Sequence, residues 1–193
     1  MKTQCHNPYL PLWEHIPDGE PHVFRDRLYV FGSHDLENGN EFCEQDYVSW
    51  SAPLDDLSDW RYEGVIYRKD QDPYNVNVLP LYAPDVVQGR DGRYYLYYCI
   101  KFQDSINVAV CDTPAGQYEF YGRVQYKDGQ AMMENQTYDP SVICTEEGNF
   151  LYFGFAPCMI NIPRYKDQDL KGGSVLQLED DMITVKKGPQ VII

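Results

Sequence analysis

A threefold repeat constrains this chain more than any other feature, because a repeated unit fixes the architecture before any single residue is considered. The segments PHVFRDRLYVFGS (Pro21–Ser33), PDVVQGRDGRYYLYYC (Pro84–Cys99) and PSVICTEEGNFLYFGF (Pro140–Phe155) share one grammar. Each opens on Pro, runs through a Val-containing strand, turns at charged residues and returns as an aromatic strand. Asp91-Gly92 and Glu147-Gly148 supply the glycine that a tight hairpin needs at positive φ, and Arg25-Asp26-Arg27 is a shorter version without glycine. The aromatic strands start at Leu28, Tyr94 and Phe150, a period of about 56 to 66 residues.

Two further strands complete each unit. In the first they are 46–52 and 61–67, in the second 106–111 and 118–126, in the third 173–178 and 183–193. Helical periodicity is weak, and the one helix candidate is a short turn around Leu54–Ser58. Four short antiparallel strands, repeated, predict an all-β chain built as a β-propeller of four-stranded antiparallel blades. About three blades are expected, near residues 16–70, 80–128 and 136–193. A β-sandwich is the alternative, but both hairpins recur in the same order in every unit, which favours the propeller. Three blades do not close a ring, since propellers carry about four to eight. The last residues, Gln190-Val191-Ile192-Ile193, form an apolar edge of the kind that templates pairing. The expectation is therefore the N-terminal part of a single propeller domain, or self-association through that open edge.

Composition narrows the function. The formal net charge of −14 lacks the basic patches that nucleic acid and anionic membranes require, so neither is expected as a partner. No stretch approaches the roughly 20 apolar residues of a membrane span. The six cysteines form no Cys-x-x-Cys pair, and Cys99 and Cys111 sit in strand-like runs as core thiols. MKTQCHNPYLPLW carries no apolar signal segment, which reads as a reduced, cytoplasmic protein. The 17 tyrosines suit half-buried strands, and also rings that stack on sugars.

The chemistry is expected where the innermost strands begin. A carboxylate stands at each entrance: Asp18 before Pro21, Asp85 after Pro84, and Asp139 before Pro140. Rotation about a propeller axis would bring the three around one pocket. Glycoside hydrolysis needs such a set. One carboxylate activates water, one protonated acid serves the leaving oxygen, and a third negative group can raise the proton affinity of the acid.

Here the chain resembles glycoside hydrolase family 43. NPYLPLWEHIPDGEPHVFRDRLYVFGSHD is similar to its first blade, LYAPDVVQGRDGRYYLYYC to its second and TYDPSVICTEEGNFLYFGF to its third. The resemblance implies a five-bladed propeller and an inverting glycosidase acting on α-L-arabinofuranosidic or β-D-xylosidic bonds of plant cell-wall oligosaccharides. It implies Asp18 as general base and Asp139 as the aspartate that raises and orients the acid, with Asp85 lining the pocket. The general acid it implies is a glutamate in a fourth blade, which no residue here matches, so this chain alone is expected to be inactive. Further candidates for sugar contact are Tyr82, Tyr138, Phe31, Ser33 and Trp13, with core packing the favoured reading of Phe31 and an interface or core role the alternative for Trp13. No cofactor is required on this reading. A single cation, calcium, in the central channel of the complete propeller is a further implication. No metal site is evident in this chain, although His15, His22 and His34 lie near Asp18 in sequence. The alternatives are a non-catalytic carbohydrate-binding propeller, a fructan hydrolase, whose Asn-Asp-Pro-Asn-Gly-like opening is absent, and a glycoside phosphorylase, which would need basic residues around phosphate.

Overall fold

Twelve strands form three consecutive four-stranded antiparallel sheets in a computed structural model that describes residues 7–133, 137–154 and 172–192. The first sheet holds β1 (Glu20–Phe24), β2 (Arg27–Gly32), β3 (Tyr47–Pro53) and β4 (Arg61–Tyr67). The second holds β5 (Leu81–Gln88), β6 (Tyr94–Ile100), β7 (Ile106–Cys111) and β8 (Glu119–Arg123). The third holds β9 (Ser141–Thr145), β10 (Gly148–Phe153), β11 (Ser174–Leu178) and β12 (Val185–Val191). In each sheet the strands lie in chain order, so every blade is a meander and no connection crosses a sheet. Phe155, the expected end of the third aromatic strand, lies outside the described residues.

The hairpins form where turn chemistry predicts. Gly92 adopts φ 86° and Gly148 φ 148°, conformations that cost a side-chain-bearing residue. In the glycine-free first hairpin, Arg25 takes the left-handed conformation itself, at φ 59°. The short turn expected around 54–58 is a pair of turns, with Asp56 accepting from the amide and hydroxyl of Ser58. The one helical turn among the described residues is 3₁₀, at Lys69–Gln71, and Pro73 follows to prevent its extension. No helix there is long and apolar enough to cross a membrane.

Strand alternation explains how blades stack. Every residue of β6, YYLYYCI, is buried, because a strand inside a stacked blade has a partner on both faces. Tyr94, Leu96, Tyr98 and Ile100 pack towards the first blade, in a core with Tyr29, Phe31, Tyr47 and Tyr67. Tyr95 and Tyr97 pack the other way, against Val142, Leu151 and Leu176 of the third. The tyrosine hydroxyls find partners inside these layers. Tyr98 donates to Asp72 Oδ2 at 2.5 Å and meets the Tyr67 hydroxyl at 2.8 Å, while Tyr97 donates to the Met182 carbonyl. At the inner rim β5 packs against β1 and β2 on one side and β9 on the other. The segments that enter β1, β5 and β9 are thereby neighbours, and these carry the chemistry.

Candidate active site

Asp18 and Asp139 occupy matching places. Each sits just ahead of its innermost strand, in the left-handed region, at φ 53° and φ 50°. Aspartate tolerates that conformation better than most residues. Both are solvent-exposed. Protein on the inner side of Asp139 still desolvates its carboxyl enough to raise the pKa above the usual carboxylate value, and the negative charge of Asp18 adds to the rise. The two side chains therefore belong to one electrostatic site.

The second blade departs from the expected symmetry. The residue in the matching left-handed conformation there is Ala83, at φ 38°, so Asp85 is not the rotational equivalent of the other two. A register shift between Tyr82 and Asp85 turns the aspartate into the protein. Asp85 is 1% exposed. Its Oδ1 lies 2.5 Å from His22 Nε2 and accepts the Val86 amide, and its Oδ2 accepts the Val142 amide at 2.6 Å. One carboxylate thus ties the inner strands of all three blades.

Around that tie stands a group that sequence reasoning did not single out. Glu20, His22 and Asp85 offer ligand atoms within 4.8 Å of one another. Residues i and i+2 of a strand share a face, and this was the available signal for Glu20 and His22. Burial raises the Glu20 pKa, with the charges of Asp85 and Asp18 adding to it and His22 opposing. The three histidines near Asp18 in sequence separate in space. His22 goes to Asp85, His34 to Glu14 and the Asp46 carbonyl, and His15 is exposed. Glu14 was also missed. Its carboxylate is 2% exposed and accepts from Trp50 Nε1 at 2.7 Å while meeting His34 Nε2 at 2.9 Å.

The remaining candidates divide. Trp13 is 63% exposed, tilted against Trp50 at 5.8 Å, and keeps ring surface open to solvent. Tyr82 is half-buried, and its carbonyl accepts the Tyr47 hydroxyl; Tyr138 is buried, and its carbonyl accepts the Gly154 amide. Phe31 has no exposed surface and packs with Phe24, Tyr29 and His22, so the structure places it in the core rather than on a sugar-facing wall. Ser33 is likewise fully buried, its hydroxyl 3.2 Å from Asp18 Oδ2 and accepting the Ala83 amide at 2.8 Å.

Comparison with known proteins bears on the fold and the family. A xylosidase/arabinosidase of Thermoclostridium stercorarium is 52% identical across the whole chain, which spans 40% of that relative's length. Among solved structures, a GH43_1 enzyme of Xanthomonas citri complexed with xylotriose superposes with a TM-score of 0.71 at 24% identity, over 96% of this chain and 57% of that one. A β-xylosidase/α-arabinofuranosidase from a compost metagenome, in calcium-free form with xylotriose, gives 0.70 at 20% identity, over 98% and 62%. These structural likenesses establish the β-propeller fold. The sequence model of the glycosyl hydrolases family 43 matches residues 25–193, and the chain belongs to that family.

Proposed function

We propose that the protein carrying this chain is an inverting glycosidase that removes α-L-arabinofuranosyl or β-D-xylosyl units from plant cell-wall oligosaccharides. The observation that carries the reading is the pairing of Asp18 and Asp139, two charge-coupled aspartates in one backbone conformation at the inner rims of the first and third blades. Asp18 takes the proton of a water as that water attacks the anomeric carbon. Asp139 places negative charge beside the acid, which keeps it protonated until the leaving oxygen needs the proton. The acid is a glutamate supplied from beyond these three blades, as family membership implies. Trp13 offers an exposed ring for stacking on a sugar face.

Glu20, His22 and Asp85 would offer a cation two carboxylates and an imidazole, a softer set than the all-oxygen shell that calcium prefers. Bound there, it would supply positive charge that neutralises the crowded carboxylates. The base and modulator roles above belong to Asp18 and Asp139 without it.

The complete enzyme is tested on aryl α-L-arabinofuranosides and aryl β-D-xylosides, with the first-formed sugar followed by proton NMR. Release of the inverted anomer from either substrate supports the reading. Binding of the sugars without turnover would favour a carbohydrate-binding propeller, and release of the retained anomer would contradict the general-base role.

A further inference from the structure

We propose that Ser33 is a positioning residue that aims the Asp18 carboxylate at the attacking water, an inference that rests on the general-base reading of Asp18. Ser33 follows the last residue of β2 and has no exposed surface. A group so enclosed does not meet a sugar directly, so its chemistry is spent on its protein neighbours.

The neighbours determine where its proton goes. A hydroxyl carries one proton and two lone pairs. The Ala83 amide can only donate, and it fills one lone pair at 2.8 Å. The Cys43 thiol is the second partner. It is buried, and burial pushes its pKa up to about 11, so at neutral pH it stays S–H, and a thiol sulfur accepts a hydrogen bond only weakly. The third partner, Asp18 Oδ2 at 3.2 Å, can only accept when ionised. An ionised carboxylate is a far stronger acceptor than a thiol sulfur, so the Ser33 proton goes to Asp18.

This contact matters because no strand holds Asp18. It is exposed, on a turn ahead of β1, in a left-handed conformation. The Ser33 hydroxyl holds Oδ2 and turns Oδ1 to the water. The same oxygen is anchored on the second blade through Ala83, whose left-handed backbone, φ 38°, brings its amide to the first blade. The base is thus registered against two blades by one hydroxyl. A carboxylate free to rotate would spend less time aligned with the water, and misplacement of about 1 Å can cost roughly a hundredfold in rate.

The test uses the complete enzyme and an aryl glycoside with a good leaving group. Ser33→Ala is expected to lower kcat by about tenfold to a hundredfold with KM within about threefold. Ser33→Cys, similar in size and a weak donor, is expected to fall with it, and it serves if Ser33→Ala does not fold. The decisive arm is azide rescue. In Asp18→Gly, azide attacks the anomeric carbon in place of water, the aryl oxide departs with the proton of the acid, and the inverted glycosyl azide forms. Adding Ser33→Ala to Asp18→Gly is expected to leave the azide-dependent rate within about twofold, because the carboxylate that Ser33 aims is gone. An equal fall of the rescued rate would assign Ser33 a merely structural role and overturn the proposal. So would wild-type kcat in Ser33→Ala with Asp18→Gly inactive. Wild-type turnover in Asp18→Gly would overturn the base reading and this inference with it.

Discussion

Asp18 and Asp139, 121 residues apart in the numbering, share a left-handed backbone conformation at the rims of two blades, and the charge of the first adds to the burial that raises the proton affinity of the second. The negative charge that makes Asp139 harder to ionise acts likewise on any third carboxyl brought to the same pocket. A site with this background field favours one acid that keeps its proton, which is what a glycosidase asks of it.

The raised Asp139 carboxyl has a consequence for stability. The folded protein holds that proton to higher pH than the unfolded chain does. Stability is therefore lost, not gained, as pH rises from the ordinary value of 3.8 through the raised one. Asp139→Asn removes the effect. Thermal midpoints measured from pH 3.5 to 7 are expected to show the variant gaining on wild type as pH rises, then a constant gap. Solvent around Asp139 keeps the gap small. Wild type gaining on the variant over that range would contradict the assigned cause.

Gly32 supports the segment that carries Asp18. A Cβ at Gly32 would lie 2.2 Å from Ile16 Cγ2 and 3.0 Å from the Pro17 carbonyl oxygen, so the 16–18 segment would have to move. Gly32→Ala is expected to cost about 1–3 kcal/mol of stability. It should also lower kcat by about tenfold to a hundredfold, through displacement of the base. Steady-state kinetics well below the variant's melting temperature separate the two effects, and an unchanged kcat would show that the segment tolerates the shift.

Asp85 is expected to matter for stability more than for turnover. Asp85→Ala strands the buried Val142 amide and removes the partner of His22. The expected loss is about 3 kcal/mol, read as a lower urea midpoint at unchanged m-value. Folded enzyme should retain measurable turnover. A loss below about 1 kcal/mol, or complete inactivity in a folded variant, would contradict the tie between blades.

The strands were legible because their signals are local. Gly92 and Gly148 announced their hairpins, and the aromatic run from Tyr94 announced a strand, whose burial on both faces came only with the stacked blades. Asp18 and Asp139 were legible as carboxylates at strand entrances. Asp85 was misread as their equivalent, although the sequence held the correction. Aligning Pro84 with Pro140 puts Ala83, not Asp85, opposite Asp139, and the structure bears this out in φ. The inward turn of Asp85 was not legible, since a register shift depends on pairing with β6 across the sheet. The ties of Glu14 to Trp50 and His34 join residues 36 and 20 positions apart, and no local pattern encodes them. Likeness offered Phe31 and Ser33 as sugar contacts, with core packing the favoured reading of Phe31; stacking of the second blade on the first encloses both.

The central claim is that Asp18 removes a proton from the attacking water, and the direct measurement is the turnover of Asp18→Ala in the complete enzyme. On aryl arabinofuranoside or xyloside, kcat is expected to fall by about 10²–10⁴-fold, with the thermal midpoint close to that of wild type. Turnover within about threefold of wild type in a folded Asp18→Ala enzyme would contradict the account.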